Sequence, residues 1–228
     1  MVFIIILSVY NYVYMHMEDS RTSYRLELRN RIQKAAMTEF LHKGVKCVKM
    51  DDIANAMAIS KRTLYEVYSN KEELLLEAVR MHEEKFNDFI IQYSKDRSHN
   101  VMDVIIEYYK RRLLTVADVS PLFIVELHKY KLVVDYLEKL NFKRQKNALL
   151  FFKRGVREGY FRSDLNFDII LKTSSASANY AMETQMYKEY SVSTIMHNTI
   201  FLYLRGICTT KGIRVLDTAI TELNHQQI

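Results

Sequence analysis

The chain has 228 residues, and because 49% of them are hydrophobic the composition excludes a largely disordered protein. Five Gly and one Pro are too few for the many turns of an all-β protein, so the composition favours an all-α fold. The formal net charge of +6 suits a nucleic-acid partner but also an ordinary basic protein, and it decides neither.

The N-terminal end of the chain is unusually apolar. The run at 2–14, VFIIILSVYNYVY, has no preceding Lys or Arg and no small-residue cleavage site. It is also shorter than the roughly twenty residues that a membrane span needs. We treat residues 1–20 as an extension, for which a misassigned start codon, a disordered tail and a membrane-associating segment remain alternative interpretations.

The apolar residues that follow recur at helical spacing along the rest of the chain. Gly44 is placed to end the first helix, and Asn70 or Ser69 to cap the fourth. The predicted helices span residues 23–42, 50–57, 61–68, 70–97, 100–118, 121–138, 140–158, 166–188 and 192–222.

Residues 50–68, MDDIANAMAISKRTLYEVY, have the pattern of a helix-turn-helix. Five apolar side chains reach one small core only if two short helices cross at a tight turn, namely Ile53, Met57, Ile59, Leu64 and Val67. Ala54 lies where the helices cross most closely. Ser60 precedes the second helix, where its hydroxyl can accept a hydrogen bond from a first-turn N–H. The pattern therefore predicts a DNA-binding element.

Polar residues occupy the other face of the second short helix. In a helix-turn-helix protein this helix enters the major groove of double-stranded DNA, where side chains contact base edges and phosphates. We predict base contacts from Arg62, Thr63 and Tyr65, and phosphate contacts from Lys61 and Lys71. The full predicted DNA-binding set is Lys49, Ser60, Lys61, Arg62, Thr63, Tyr65, Tyr68 and Lys71.

Several segments resemble the TetR family of bacterial transcriptional regulators. RNRIQKAAMTEFLHKG at 29–44 is similar to the family's first helix, and SKRTLYEVYSNKEELL at 60–75 to its most recognisable signature. The segments at 155–168 and 201–212 are similar to the loosely patterned regions that flank its last two long helices. The resemblance implies a three-helix DNA-binding domain followed by a helical ligand-binding and dimerisation domain.

Two positions depart from the family pattern. Ala58 occupies a turn position that usually holds Gly because it tends to need a positive φ, and a non-Gly residue there costs about 1 kcal/mol. Lys49 stands where Ser or Thr is common before the first helix of the motif. Lysine cannot accept a capping hydrogen bond, but its long side chain can reach a phosphate. Glu66 shares the predicted DNA-facing surface, and its carboxylate needs a neighbouring cation or a base to offset repulsion from phosphate.

The predicted domains are a helix-turn-helix domain at 21–70, a connecting helix at 71–97 and a regulatory and dimerisation domain at 98–228. A tilt of the connecting helix would move the DNA-contacting helix. In the second domain, aromatic and Met residues suggest an apolar ligand cavity like those usual in the family, although plain core packing explains each residue equally well. The candidate ligand residues are Tyr108, Phe123, His128, Phe152, Tyr180 and Met182.

Small residues at 173–182, TSSASANYAM, allow helices to approach closely. The helix that follows has five larger side chains on one side: Met196, Ile200, Tyr203, Leu204 and Ile207. Two copies of these helices predict a four-helix interface in a homodimer. Two-fold symmetry then predicts a palindromic operator.

The function predicted from these features is a cytoplasmic repressor that a small-molecule effector releases from its operator. An all-α enzyme and a membrane-tethered regulator are the alternatives. Seven His are scattered without metal-ligand spacing, and Cys47 and Cys208 form no zinc motif. The scarce Gly residues leave no phosphate-cradling loop. We therefore expect no catalytic residues, no metal and no cofactor.

Overall fold

The computed structural model describes residues 20–117 and 119–225, and within these ranges the regular structure is helical apart from an isolated bridge between Phe161 and Cys208. The predicted all-α fold is confirmed. The helices are α1 (Ser20–Lys43), α2 (Met50–Ala56), α3 (Lys61–Val67), α4 (Lys71–Lys95), α5 (Val101–Ala117), α6 (Pro121–Leu127), α7 (Lys131–Arg157), α8 (Phe167–Glu183), α9 (Val192–Ile207) and α10 (Thr210–His225), with a 3-10 turn at Met186–Lys188.

The apolar run at 2–14 lies outside the described residues, so its three interpretations stay open. In the part of the chain that is described, none of the helices combines the length and the hydropathy that crossing a bilayer requires.

Two predicted helix boundaries are wrong. The break expected near residue 139 falls at 128–130, where neither Gly nor Pro marks it. Leu127 and Val133 are both buried in one core, and the turn between them brings both side chains inward. Tertiary packing therefore outweighs the local helical preference at this point.

The long helix expected at 192–222 is divided into α9 and α10 at Cys208, whose backbone is extended. At this point backbone groups at the end of α9 and just before α10 bond to the segment before α8 instead of continuing one helix. The N–H of Arg162 donates to the carbonyl of Ile207, and the N–H of Thr209 donates to the carbonyl of Tyr160. Gly212 permits this approach, since a Cβ atom there would lie 2.5 Å from the Tyr160 oxygen.

Contacts divide the described chain into two compact units. The N-terminal unit contains residues 20–86 and 119–138, and the C-terminal unit contains 87–117 and 139–225. The chain passes from one unit to the other within α4, between α5 and α6, and again within α7. Helix α6 thus groups with the helix-turn-helix, whereas the sequence places it in a regulatory domain at 98–228.

The N-terminal unit has one continuous apolar core. Helix α1 contributes Ile32 and Phe40, and α3 contributes Leu64, and all three side chains are fully buried. Phe123 and Leu127 of α6 join the same core. Burying an aliphatic or aromatic side chain of this size contributes about 1.5–3 kcal/mol, so this core is what fixes the short helices α2 and α3.

The C-terminal unit packs α9 against both α5 and α8, while α10 packs against α5. Three aromatic rings, those of Phe151, Phe152 and Phe161, form a cluster with centroids about 6 Å apart. Gly155 makes room for this cluster. A Cβ atom at that position would lie 2.0 Å from the Phe161 ring, so no other residue fits without movement.

A polar pair lies within this second core. The Tyr109 hydroxyl lies 2.7 Å from Nδ1 of His197, and the ring of Phe201 packs edge-on against both side chains. Burial raises the pKa of Tyr109 and lowers the pKa of His197 below its ordinary value of 6.5. His197 is therefore neutral in the folded protein near pH 7.

This arrangement makes stability depend on pH. The pKa of His197 is lower in the folded state, so the unfolded chain binds the proton more readily. The free energy of unfolding therefore falls as the pH drops below 6.5. As the pH is lowered from neutral towards the folded-state pKa of His197, we expect the free energy of unfolding to fall less in His197→Gln than in the wild type. Urea unfolding at a series of pH values measures this difference. His128→Gln, at an exposed position, is the control. Identical pH profiles for the wild type and His197→Gln would contradict this expectation.

Candidate nucleic-acid interface

Helices α2 and α3 are joined by a turn whose geometry the sequence anticipates. Ala58 has a φ of 53°, which confirms the positive φ expected at this position. The N–H of Ala58 donates to Asn55 and that of Ile59 to Ala54, so the left-handed residue closes a hydrogen-bonded turn. Its conformation costs about 1 kcal/mol, which the packing of the surrounding core offsets.

The caps of the two short helices orient their N-terminal ends. Ser60 caps α3 as predicted, because its Oγ accepts a hydrogen bond from the N–H of Thr63 at 3.0 Å. At α2 the backbone N–H of Lys49 donates to the carboxylate of Asp52 at 2.8 Å. The Lys49 side chain takes no part in that bond and is exposed to solvent.

The outward face of α3 presents three of the predicted DNA-contacting side chains to solvent. The side chain of Arg62 is 89% exposed, Lys61 and Tyr65 are also exposed, and Thr63 is half-buried. Lys61 donates to the Asp51 carboxylate at 2.9 Å, and this hydrogen bond raises the pKa of Lys61 above its ordinary value. Lys61 is therefore charged and is held beside Asp51.

Tyr68 is a correction to the predicted DNA-binding set. The sequence places it at the exposed end of α3, but the helix ends at Val67 and Tyr68 has an extended backbone. Its side chain turns inward and is fully buried. The hydroxyl accepts a hydrogen bond from Nε2 of Gln33 at 2.8 Å, and the guanidinium of Arg29 lies over the ring. Burial raises the pKa of Tyr68. Tyr68 stabilises the core and does not face DNA.

Lys71 also differs from its predicted role. Its ammonium donates to the carbonyl of Val45 at 2.9 Å and to that of Val48 at 3.0 Å. The side chain therefore lies along the loop at 44–49, between α1 and α2, and two of its three N–H groups are used within the protein. The prediction of a phosphate contact missed this structural role, which depends on residues more than twenty positions away.

Glu126 is a residue that the sequence analysis missed. Its side chain is buried, and its carboxylate accepts a hydrogen bond from the N–H of Lys46 at 2.6 Å. Gly44 follows the end of α1, as predicted, and has a φ of 80°. It allows the contact with Glu126, because a Cβ atom at position 44 would lie only 3.0 Å from the carboxylate. The two partners are 80 residues apart, so no local pattern indicates the pair.

The predicted ligand residues differ in burial. Phe123 is part of the core of the N-terminal unit, whereas His128 is exposed. In the C-terminal unit Phe152 belongs to the aromatic cluster, and Tyr180 is 63% exposed. The prediction that His128 and Tyr180 line an apolar cavity is therefore wrong. Tyr108 is buried and accepts a hydrogen bond from Arg112, and Met182 is half-buried.

The C-terminal unit has an apolar cleft that involves none of these six residues. It lies between α5, α9 and α10 and is too narrow to hold a water molecule. Its lining consists of Ile105, Ile106, Tyr109, Phe201, Leu204, Leu216, Ala219 and Ile220.

The predicted dimer residues on α9 are mostly core residues. Met196, Ile200, Leu204 and Ile207 are buried within their own chain, so the prediction that they form the dimer surface is wrong. The hydrophobic side of α9 packs against α5 and α8 instead. Among the residues that α8 and α9 leave exposed, beside charged ones such as Lys172 and Arg205, is a different set: Ile169, Thr173, Ala176, Tyr180, Thr194, Asn198 and Leu202. We call these seven residues the α8–α9 face.

Comparisons with known proteins agree with this fold and this motif. A family model described as bacterial regulatory proteins, tetR family, matches residues 32–78, which contain α2 and α3. This match and the helix-turn-helix geometry together support a transcriptional regulator of the TetR family. The chain is 23% identical over 158 residues to the HTH-type transcriptional repressor KstR2 of Mycobacterium tuberculosis, a match that covers 63% of this chain and 74% of that protein.

Two solved structures share the TetR-family fold with this chain. A gamma-butyrolactone receptor (ArpA like protein) superposes with a TM-score of 0.62 at 14% identity, covering 89% of this chain and 99% of that one. Regulatory protein TetR from Rhodobacter sphaeroides superposes with a TM-score of 0.60 at 15% identity, covering 78% and 97% of the two chains. At these identities the likeness concerns the fold alone.

The burial of Tyr68 can be tested directly. Tyr68→Phe removes the acceptor of the Gln33 amide inside the core, so we expect the free energy of unfolding to fall by about 1–3 kcal/mol in urea titrations. Tyr65→Phe, which removes an exposed hydroxyl three residues earlier, on α3, is the matched control and should leave stability unchanged. If Tyr68→Phe left stability unaltered but weakened DNA binding, the prediction that Tyr68 contacts DNA would be correct after all.

Proposed function

We propose that this TetR-family protein is a repressor that binds a palindromic operator as a homodimer and releases it when a small-molecule effector binds. The observation that supports DNA binding best is the solvated face of α3, where Arg62, Thr63 and Tyr65 stand beside the cation of Lys61. Repression follows the relatives, since KstR2 of Mycobacterium tuberculosis is named a transcriptional repressor.

The contacts with DNA divide by chemistry. Arg62, Thr63 and Tyr65 contact base edges in the major groove, and Lys61 and Lys49 contact phosphates on either side. Ser60 acts through the helix cap, which holds Thr63 in place. Lys71 acts through the loop at 44–49, and its remaining N–H group is available to a phosphate.

The dimer forms through the α8–α9 face. Three large apolar side chains on this face are more than half exposed, namely Ile169, Tyr180 and Leu202. Between them lie the small side chains of Thr173 and Ala176, which allow a second copy to approach closely. Exposed apolar side chains grouped on adjacent helices are typical of an interface.

The effector acts from the C-terminal unit. It lowers the affinity for DNA only as far as it binds better to the conformation that does not fit the operator. Helices α4 and α7 each contribute residues to both units, so these continuous helices transmit this coupling. No covalent chemistry takes part in this mechanism.

The DNA-binding proposal predicts a specific loss of affinity. We expect selection from random duplexes to yield a two-fold symmetric sequence, and Arg62→Ala or Tyr65→Ala to weaken binding to it by about 1–3 kcal/mol in fluorescence anisotropy. Arg214→Ala, on the exposed side of α10, is the matched control and should bind normally. If the wild type selects no preferred sequence even at low salt, the proposal is wrong.

The dimer proposal has its own test. A charge at the centre of an apolar interface is costly to bury, so Leu202→Asp should convert the dimer to a monomer in sedimentation velocity experiments. Leu150→Asp provides a control, because Leu150 is an equally exposed leucine on α7 outside the α8–α9 face. A Leu202→Asp protein that sediments as the wild-type dimer would place the interface elsewhere.

A further inference from the structure

The guanidinium of Arg62 is held by a neighbour one turn along α3. Its Nε donates to Oε1 of Glu66 at 2.9 Å, in an ion pair between positions i and i+4. Both side chains are open to solvent, at 89% and 61% exposure. Such an exposed pair adds little to stability, so its effect lies in orientation.

This contact uses one edge of a planar group and leaves another edge open. Within the described part of the chain, no acceptor forms a hydrogen bond with Nη1 or Nη2 of Arg62. The N–H groups of these two nitrogens lie in one plane at a fixed spacing. In the major groove this spacing matches the O6 and N7 acceptors of guanine. Holding Nε therefore prepares Arg62 for one particular base.

We propose that Glu66 is a positioning residue for DNA recognition: it accepts a hydrogen bond from Nε of Arg62 and thereby presents the Nη edge of Arg62 to a guanine in each operator half-site. The inference rests on the proposed function, since it requires α3 in the major groove. It also accounts for an acidic side chain on a DNA-facing surface, because the carboxylate is neutralised by the arginine that it orients.

A second acidic residue on the same surface provides a comparison within the chain. Asp51 accepts a hydrogen bond from Nζ of Lys61 at 2.9 Å and is likewise exposed. An ammonium is a compact charge on a flexible stem and does not have the planar fork that selects guanine. The pair of Asp51 and Lys61 therefore affects attraction to phosphate in general, whereas the pair of Glu66 and Arg62 affects base choice.

The test compares base preference across variants of the full-length protein. For each variant, binding is measured to the duplex selected by the wild type and to duplexes in which one base pair of each half-site is changed. Arg62→Ala should reduce the preference for one guanine by about 5- to 150-fold, which corresponds to a bidentate contact of about 1–3 kcal/mol. Glu66→Ala should reduce the same preference by about two- to tenfold, the cost of ordering a freed long side chain.

Three further variants separate positioning from charge. Glu66→Gln keeps an acceptor in place and should retain part of the guanine preference. Asp51→Asn removes one negative charge from the same surface, so it should strengthen binding to all duplexes about equally and leave base preference unchanged. In an Arg62→Ala background, Glu66→Ala should have no further effect on base preference, because Glu66 then has no guanidinium to orient.

The outcomes distinguish this inference from the function on which it rests. A wild-type protein without sequence preference would overturn the proposed function. A wild-type protein with a clear operator, in which the base read by Arg62 is not guanine or Glu66→Ala behaves like Asp51→Asn, would overturn the role of Glu66 alone. All substituted side chains are exposed, and circular dichroism melting curves that match the wild type establish that each variant is folded.

Discussion

Two charged side chains hold the loop at 44–49, and the position of the helix-turn-helix depends on them. Lys71 at the beginning of α4 binds the carbonyls of Val45 and Val48, while Glu126 on α6 binds the N–H of Lys46. Backbone groups in a tight loop have no helical partners, and leaving them buried without a hydrogen bond costs free energy. The loop thus ties α1, which precedes it, to α2, which follows it, through contacts made by α4 and α6.

The division of α3 into a buried and an exposed face follows from this anchoring. Leu64 enters the core completely, and Tyr68 turns back into it where the helix ends. The remaining face is free to serve a partner. Its ion pairs with Asp51 and Glu66 are exposed and contribute little to folding, so under the proposed function their effect is to order Lys61 and Arg62 before DNA binds.

Local features of this protein were predictable from its sequence, and contacts between distant residues were not. The cap by Ser60, the positive φ of Ala58 and the cap of α4 by Asn70 each depend on a few neighbouring residues, and the structure has all three. Glu126 and Lys46 are joined only by folding. The same limit explains the four α9 residues predicted for the dimer surface, since helical periodicity identifies an apolar side but not what covers it.

The discontinuity of the N-terminal unit has a consequence for exchanging parts between regulators. Residues 119–138 belong to this unit although residues 87–117 separate them from the rest of it. A chimera that grafts only the first stretch onto another TetR-family protein would omit Phe123 and Leu127 from the core, and Glu126 from its loop. Transplanting the helix-turn-helix together with its core therefore requires two segments of the chain, chosen together so that their buried surfaces still match.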